Sequence, residues 1–392
     1  MKLPLCLSLI LLTFLPSCKK AARQELEPPT ISAIDTADEE DIKKWATQLA
    51  VALETRDIKA VEAVQDLRSL VEEGMHGLLV SPKEVEELHR GASAGINRNT
   101  GGLFQSLVGA RTRFLGLKDF QGERVPLFST SGENSMDYFF LKLNKISPNE
   151  YKIYDLLTLT QMTWVSSNLR EAFAPGSTGM EGVSLEEVLR SPTAIALTKH
   201  QTEIRGFRGA YLNDDLEKAH QIYEDLPEIV QKNKGLWIMY VGSLYEKPTK
   251  QAEELGKLQK IHPETTKAHY LLLDVAMAAE DYEQAEHYLE KTIELVGHEE
   301  LSQTIKASIY WGQGRLKEAA TITAAVLASE PSFEKAWWTA FGVANEQGQF
   351  EEVAKLMAAY NQQFGTKLTK EDLDQEEYAA FLRSPEAVEL FH

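Results

Sequence analysis

The chain has 392 residues, 43% of them hydrophobic, which is enough for two or three domains that each bury a core. Its formal net charge of −18 is spread over Glu-rich stretches with Lys and Arg interspersed. That pattern excludes a clustered basic face and, with it, a nucleic-acid partner. The only cysteines, Cys6 and Cys18, both lie in the first eighteen residues, so the folded part can build neither a disulfide framework nor a Cys-based metal site.

Residues 1–17 read as an export signal. Lys2 supplies a positive start, and residues 3 to 15 (LPLCLSLILLTFL) form an apolar run too short to span a membrane as a helix but suited to a signal-peptide core. Leu15-Pro16-Ser17-Cys18 follows and resembles the lipobox of bacterial lipoproteins, with Pro16 departing from the usual small residue. The resemblance implies that Cys18 is diacylated, carrying palmitate-type chains, and becomes the mature N-terminus. It implies a cell-envelope location, and Lys19 in place of Asp implies the outer membrane rather than the inner where the host has two. Residues 18–37, which contain Pro28-Pro29 and no sustained apolar period, then read as lipidated cysteine and flexible tether.

From Asp38 to residue 165 the pattern is α+β. An acidic first turn, Asp38 to Asp41, precedes Trp45, Leu49, Val51, Ala52 and Leu53 at helical steps. A second helix is expected over Ile58 to Glu73, ended by Gly74, and a third after Ser81-Pro82, where Ser81 suits an N-cap and Pro82 the first helical position. The period then shortens. Segments 111–118, 124–131, 136–146 and 151–163 are rich in aromatic and β-branched residues, and Gly122, Gly132-Glu133-Asn134 and Pro148-Asn149 divide them. Short turns predict an antiparallel four-stranded sheet. This order of elements, helices first and sheet second, resembles the cystatin-like or NTF2-like α+β cone. Residues 166–199, with a Gly-rich break at 174–179 and a short helix from Ser184 to Leu189, read as a connector.

Residues 200–366 carry a 34-residue period. Tyr282-Glu283-Gln284-Ala285, Leu316-Lys317-Glu318-Ala319 and Phe350-Glu351-Glu352-Val353 recur in register. Ala285, Ala319 and Val353 fall where the two helices of a hairpin require a small side chain. Leu273, Ala307 and Phe341, then Ala276, Tyr310 and Ala344, fall on the buried face of the first helix of each hairpin, and Trp337 is also a core position. Two degenerate frames precede these, marked by Leu216, Ala219 and Tyr223 and by Trp237, Leu244, Ala252 and Pro263. The array resembles the tetratricopeptide (TPR) family, with about five repeats forming an all-α superhelix. Residues 367–392 read as its helical cap, starting at Thr369 and burying Tyr378, Phe381 and Leu382.

The family's concave groove, carried over position by position, implies a partner-binding set of Lys267, Tyr270, Asp274, Met277, Thr304, Ser308, Trp311, Lys335, Trp338, Asn345 and Glu346. Trp311 and Trp338 are candidate anchors for a bound segment, the alternative being that they pack between repeats. In the α+β domain the available acid or base groups are His76, His89, Asp137, Tyr138 and Asp155, in no recognised catalytic spacing. No phosphate loop, dinucleotide motif or metal spacing occurs, and no cofactor is expected. The sequence therefore points to a membrane-anchored scaffold that binds another envelope protein or peptide, not to an enzyme. The rival is a small-molecule binder or hydrolase with its pocket in the α+β domain.

Overall fold

The computed structural model describes residues 23–32, 34, 38–96, 102–104, 107–131, 136–147, 149–160, 163–173, 183–373 and 376–391. The signal segment, Cys18, the turn residues 97–101, 132–134 and 148, and the Gly-rich break at 174–179 lie outside the described residues. An α+β region is followed by an all-helical one. Contacts divide the chain into two compact units, Met1–Leu271 and Leu272–His392.

The first unit begins with β1 (Gln24–Glu25), which pairs antiparallel with β2 (Leu79–Val80). Leu26 N–H also donates to the Leu78 carbonyl (2.8 Å), and Arg23 pairs with Glu84 at 3.0 Å. The part of the expected tether from Arg23 to Leu26 is thus bonded to the domain. Helix α1 (Glu39–Glu54) keeps Glu39, Glu40 and Asp41 in its first turn, where the exposed N–H groups favour negative charge. Ile42, Trp45, Ala46, Leu49 and Leu53 form its buried stripe.

The single helix expected over 58–73 is two, α2 (Ile58–Ala63) and α3 (Leu67–Met75). Gln65 leaves the helical path to bridge Ile153, and the Asp66 carboxylate accepts from Ser69 N–H at 3.0 Å, capping a new helix. Helix α4 (Pro82–Ile96) starts with a reciprocal cap: the Ser81 hydroxyl accepts from Glu84 N–H (3.3 Å), and the Glu84 carboxylate accepts from Ser81 N–H (2.7 Å).

The main sheet has five antiparallel strands in sequence order: β3 (Arg111–Phe120), β4 (Glu123–Ser131), β5 (Met136–Ser147), β6 (Glu150–Thr158) and β7 (Thr163–Trp164). Four strands were expected because 151–163 reads as one continuous run. The chain instead leaves the ladder after Thr158, turns at Leu159-Thr160, and returns so that Thr163 and Trp164 pair with Thr158 and Leu157. Cross-strand partners share a face. Phe128, Phe139, Leu141, Leu143 and Ile153 therefore form one face, packed into a common core with α1 to α3. Helix α5 (Val165–Phe173) adds Val165 and Leu169 to that core, so the α+β packing runs past residue 165.

Short helices α6 (Leu185–Leu189) and α7 (Pro192–Lys199) lead into α8 (Gln201–Leu212), α9 (Leu216–Asp225), α10 (Glu228–Gln231), α11 (Lys234–Ser243), α12 (Pro248–Ile261) and the start of α13 (His269–Ala278). In the second degenerate frame Ala252 is exposed and Gln251 is buried, so the hairpin's inward site belongs to Gln251. Its amide Nε2 donates to the Val241 carbonyl at 3.0 Å, while Oε1 is buried without a hydrogen-bond partner among the described residues. Gln251, Ala285, Ala319 and Val353 then follow at constant 34-residue spacing.

The second unit continues with α14 (Tyr282–Val296), α15 (Glu300–Gly312), α16 (Leu316–Ser329), α17 (Glu334–Glu346) and α18 (Phe350–Phe364). Ala285, Ala319, Val353, Leu273, Ala307, Phe341, Ala276, Tyr310, Ala344 and Trp337 are all buried. The second helix of each hairpin follows a residue held at positive φ: Glu280 (56°), Gly314 (72°) and Gly348 (68°). Glycine adopts that conformation freely, whereas a side chain strains it. Glu280→Gly is therefore expected to raise stability by up to about 1 kcal/mol, read as a higher denaturation midpoint. An unchanged or lowered midpoint would refute the strain.

The end of the unit is closed by a 3₁₀ turn (Lys370–Asp372), α19 (Ala379–Leu382) and α20 (Pro385–Phe391). Thr369 and Asp372 cap each other. Leu368, Leu373, Tyr378, Phe381 and Ala387 bury themselves against Trp337, Phe341, Val353, Met357 and Tyr360.

Candidate functional site

Two groups of residues can carry function: the groove positions of the helical hairpins and the buried carboxyls of the sheet. The groove positions do not share one environment. Tyr270 is buried, its hydroxyl donating to the Met136 carbonyl (3.1 Å) and its ring edge-on to Tyr138 (5.3 Å). Sheet strand β5 therefore occupies that position. Lys267 is exposed and Met277 half-buried. Asp274 is buried, and burial raises its carboxyl above the ordinary range.

Along α15, the hydroxyl of buried Thr304 donates to the Glu300 carbonyl (2.7 Å), and that of half-buried Ser308 donates to the Thr304 carbonyl (3.1 Å). Trp311 lies so close over Gly342 of α17 that a β-carbon there would come within 2.0 Å of the indole. Its ring is a spacer between successive hairpins. Trp338 packs edge-on to Phe341 (5.4 Å) and Tyr360 (6.0 Å). The Asn345 amide donates to the Glu377 carbonyl (3.0 Å), within the closing segment. Lys335 is half-buried, and Glu346 is exposed. Met277, Ser308, Lys335 and Glu346 thus present surface in the second unit, while both tryptophans contribute to packing.

The acid and base candidates of the sheet domain are also dispersed. His76 Nδ1 contacts the Glu73 carbonyl (2.7 Å) and the Arg170 guanidinium (2.6 Å). His89 is 3.5 Å from Glu72, and burial holds its ring below the usual imidazole value. Tyr138 packs under Tyr270. Asp137 and Asp155 are both buried, each pushed by burial up to about 7.

The two carboxyls differ in how they are satisfied. Asp155 accepts from Leu156 N–H (2.9 Å), from Ser166 N–H (3.1 Å) and from the Ser166 hydroxyl, so it caps the start of α5. Lys142, its cross-strand neighbour, adds a positive charge. Asp137 accepts from Tyr138 N–H (2.7 Å) and Thr160 N–H (3.3 Å), and the side chains of Thr160 and Thr158 also act on the carboxyl. The Thr130 hydroxyl is buried without a hydrogen-bond partner among the described residues.

Register places these groups together. Thr112 pairs with Thr130 and Thr130 with Asp137, while Thr158 pairs with Phe139, two residues along on the same face. A threonine row around one carboxyl thus crosses the end of an otherwise apolar face. The sequence reading had Asp137 but not the threonines, whose shared face becomes visible only once the register of four strands is fixed. Among the described residues no group of three His, Cys, Asp or Glu could hold a metal ion. Among the described residues no helix is long and apolar enough to cross a membrane. No protein-family model matches the chain, and no curated protein is significantly similar to it.

Proposed function

We propose that the chain is a lipid-anchored scaffold of the cell envelope whose tetratricopeptide-type array binds a segment of another envelope protein. The observation that carries this reading is the recurrence of helix starts at Pro248, Tyr282, Leu316 and Phe350, each 34 residues after the last. A stack of such hairpins needs a closed end, which Leu373, Tyr378 and Phe381 supply, and it offers an extended lateral surface for a partner. The surface assigned to the partner is that of Met277, Ser308, Lys335 and Glu346. A double variant, Ser308→Arg with Glu346→Arg, is expected to weaken partner capture at least tenfold without altering the helical circular dichroism. Undiminished capture would remove this surface from the reading.

The α+β domain is proposed as NTF2-like or cystatin-like, with its fifth strand as an addition. Attachment is assigned to lipid on Cys18. Cys18→Ser should move the protein from the membrane pellet to the soluble fraction, because no described helix can substitute as an anchor. A variant that stays in the pellet would contradict lipidation at this residue.

A further inference from the structure

We propose that His220 is an acid-sensitive latch, which ties the start of α12 to α9 while its ring is neutral and releases it when the ring takes up a proton. The latch lies in the first unit and does not rest on the scaffold reading. His220, on α9, is buried, and its two ring nitrogens meet opposite kinds of partner. Nε2 lies 3.1 Å from both the carbonyl and the hydroxyl oxygen of Ser243, and Nδ1 lies 3.1 Å from Lys247 Nζ. A carbonyl only accepts and an ammonium only donates, so the hydrogen belongs on Nε2 and the lone pair on Nδ1. The Ser243 hydroxyl fits this assignment, since it donates its own proton to the Tyr240 carbonyl (2.7 Å) and leaves its oxygen to accept. Both nitrogens therefore require the neutral ring.

A proton on Nδ1 removes the lone pair that holds Lys247 and sets two positive charges side by side. The new N–H needs an acceptor, and the carboxylate acting on the ring is Glu224, one turn further along α9. Glu224 already accepts from the Tyr240 hydroxyl (2.7 Å) and from Lys250 Nζ (2.6 Å). Lys247 caps α12 and Lys250 stands in its first turn, so both cationic tethers from α12 to α9 depend on the charge of one ring. The other neighbours are uncharged: Tyr240 of α11 meets the ring edge-on (5.8 Å), and α8 packs Phe207 against Tyr223. Burial, Lys247 and Lys250 hold the ring below the usual imidazole value, against the Ser243 carbonyl and Glu224. The neutral ring thus contributes stability above the unfolded value of 6.5, and that contribution is lost as pH falls below it. Asp137 and Asp155 slope the other way, so a local measurement decides.

The test is hydrogen–deuterium exchange of the full chain at pH 7.5 and 5.0, corrected for the intrinsic pH dependence of amide exchange. It is read on peptides covering α12, with α16 as the reference. Protection of α12 is expected to fall about tenfold at pH 5.0 while α16 keeps its own. His220→Gln, which cannot take up the proton, should protect α12 equally at both pH values. Lys247→Met, which removes the ammonium and keeps the stem, should cut the loss to less than about threefold. If His220→Gln does not fold, Lys247→Met decides. Equal protection of α12 at both pH values in the parent overturns the proposal. A loss shared equally by α16, or retained in full by either variant, overturns it too.

Discussion

Trp311→Ala and Trp338→Ala are each expected to lower the stability of the second unit by about 2–3 kcal/mol in the absence of any partner. Trp311 fills the space above Gly342, and Trp338 fills the space beside Phe341 and Tyr360. Removing either ring opens a void that the adjoining helices cannot close. Both residues keep part of their surface exposed, which places the loss below the 3–5 kcal/mol typical of a wholly buried Trp or Phe. Urea titration followed by circular dichroism reads the effect directly. Midpoints within error of the parent would mean that the rings are free anchors waiting for a ligand. A clear loss means that weakened partner capture in these variants cannot be assigned to the binding surface alone.

The second large effect concerns pH. Asp137 and Asp155 have folded values of about 7 against 3.8 in the unfolded chain. Between those limits the unfolded state gives up its proton while the folded state keeps it. Their contribution to stability is therefore fully present below about pH 4, falls as pH rises toward 7, and levels off above. A shift of this size corresponds to an upper bound on the order of 4 kcal/mol per group, reduced for Asp155 where Lys142 compensates the ionised form. Asp137→Asn should flatten part of the slope and raise stability above pH 7. Asp155→Asn should remove its share of the slope but lose the cap of α5, so its stability at pH 4 should drop. Stability that climbs steadily from pH 4 to 7 would contradict both assignments.

The helical half was legible because its constraint is local and repeated. Ala285, Ala319 and Val353 must be small, and a 34-residue period exposes them without knowledge of any long-range contact. The same logic failed at Gln251, a buried residue whose amide donates to the Val241 carbonyl, a contact that no pattern announces. The four long strands could be read from alternation and turns. The fifth could not, because Thr163-Trp164 is too short to show a period and depends on pairing with Leu157 and Thr158. Groove residues carried over by position kept their places on the first helix of each hairpin, except Lys267, which ends a 3₁₀ turn before α13. Neighbours decided their surroundings: β5 covers Tyr270, Gly342 receives Trp311, and the closing segment holds Asn345.

The proposal that Ser308 and Glu346 meet a protein partner is tested most directly by site-specific photocrosslinking of the full chain in intact cells. The crosslinker is placed at Ser308 or Glu346 and, as controls, at exposed Thr321 of α16 and Glu351 of α18. The scaffold reading predicts one discrete adduct from Ser308 and Glu346 that the control positions do not give. Adducts absent from all four positions, or equally strong from the controls, would contradict it.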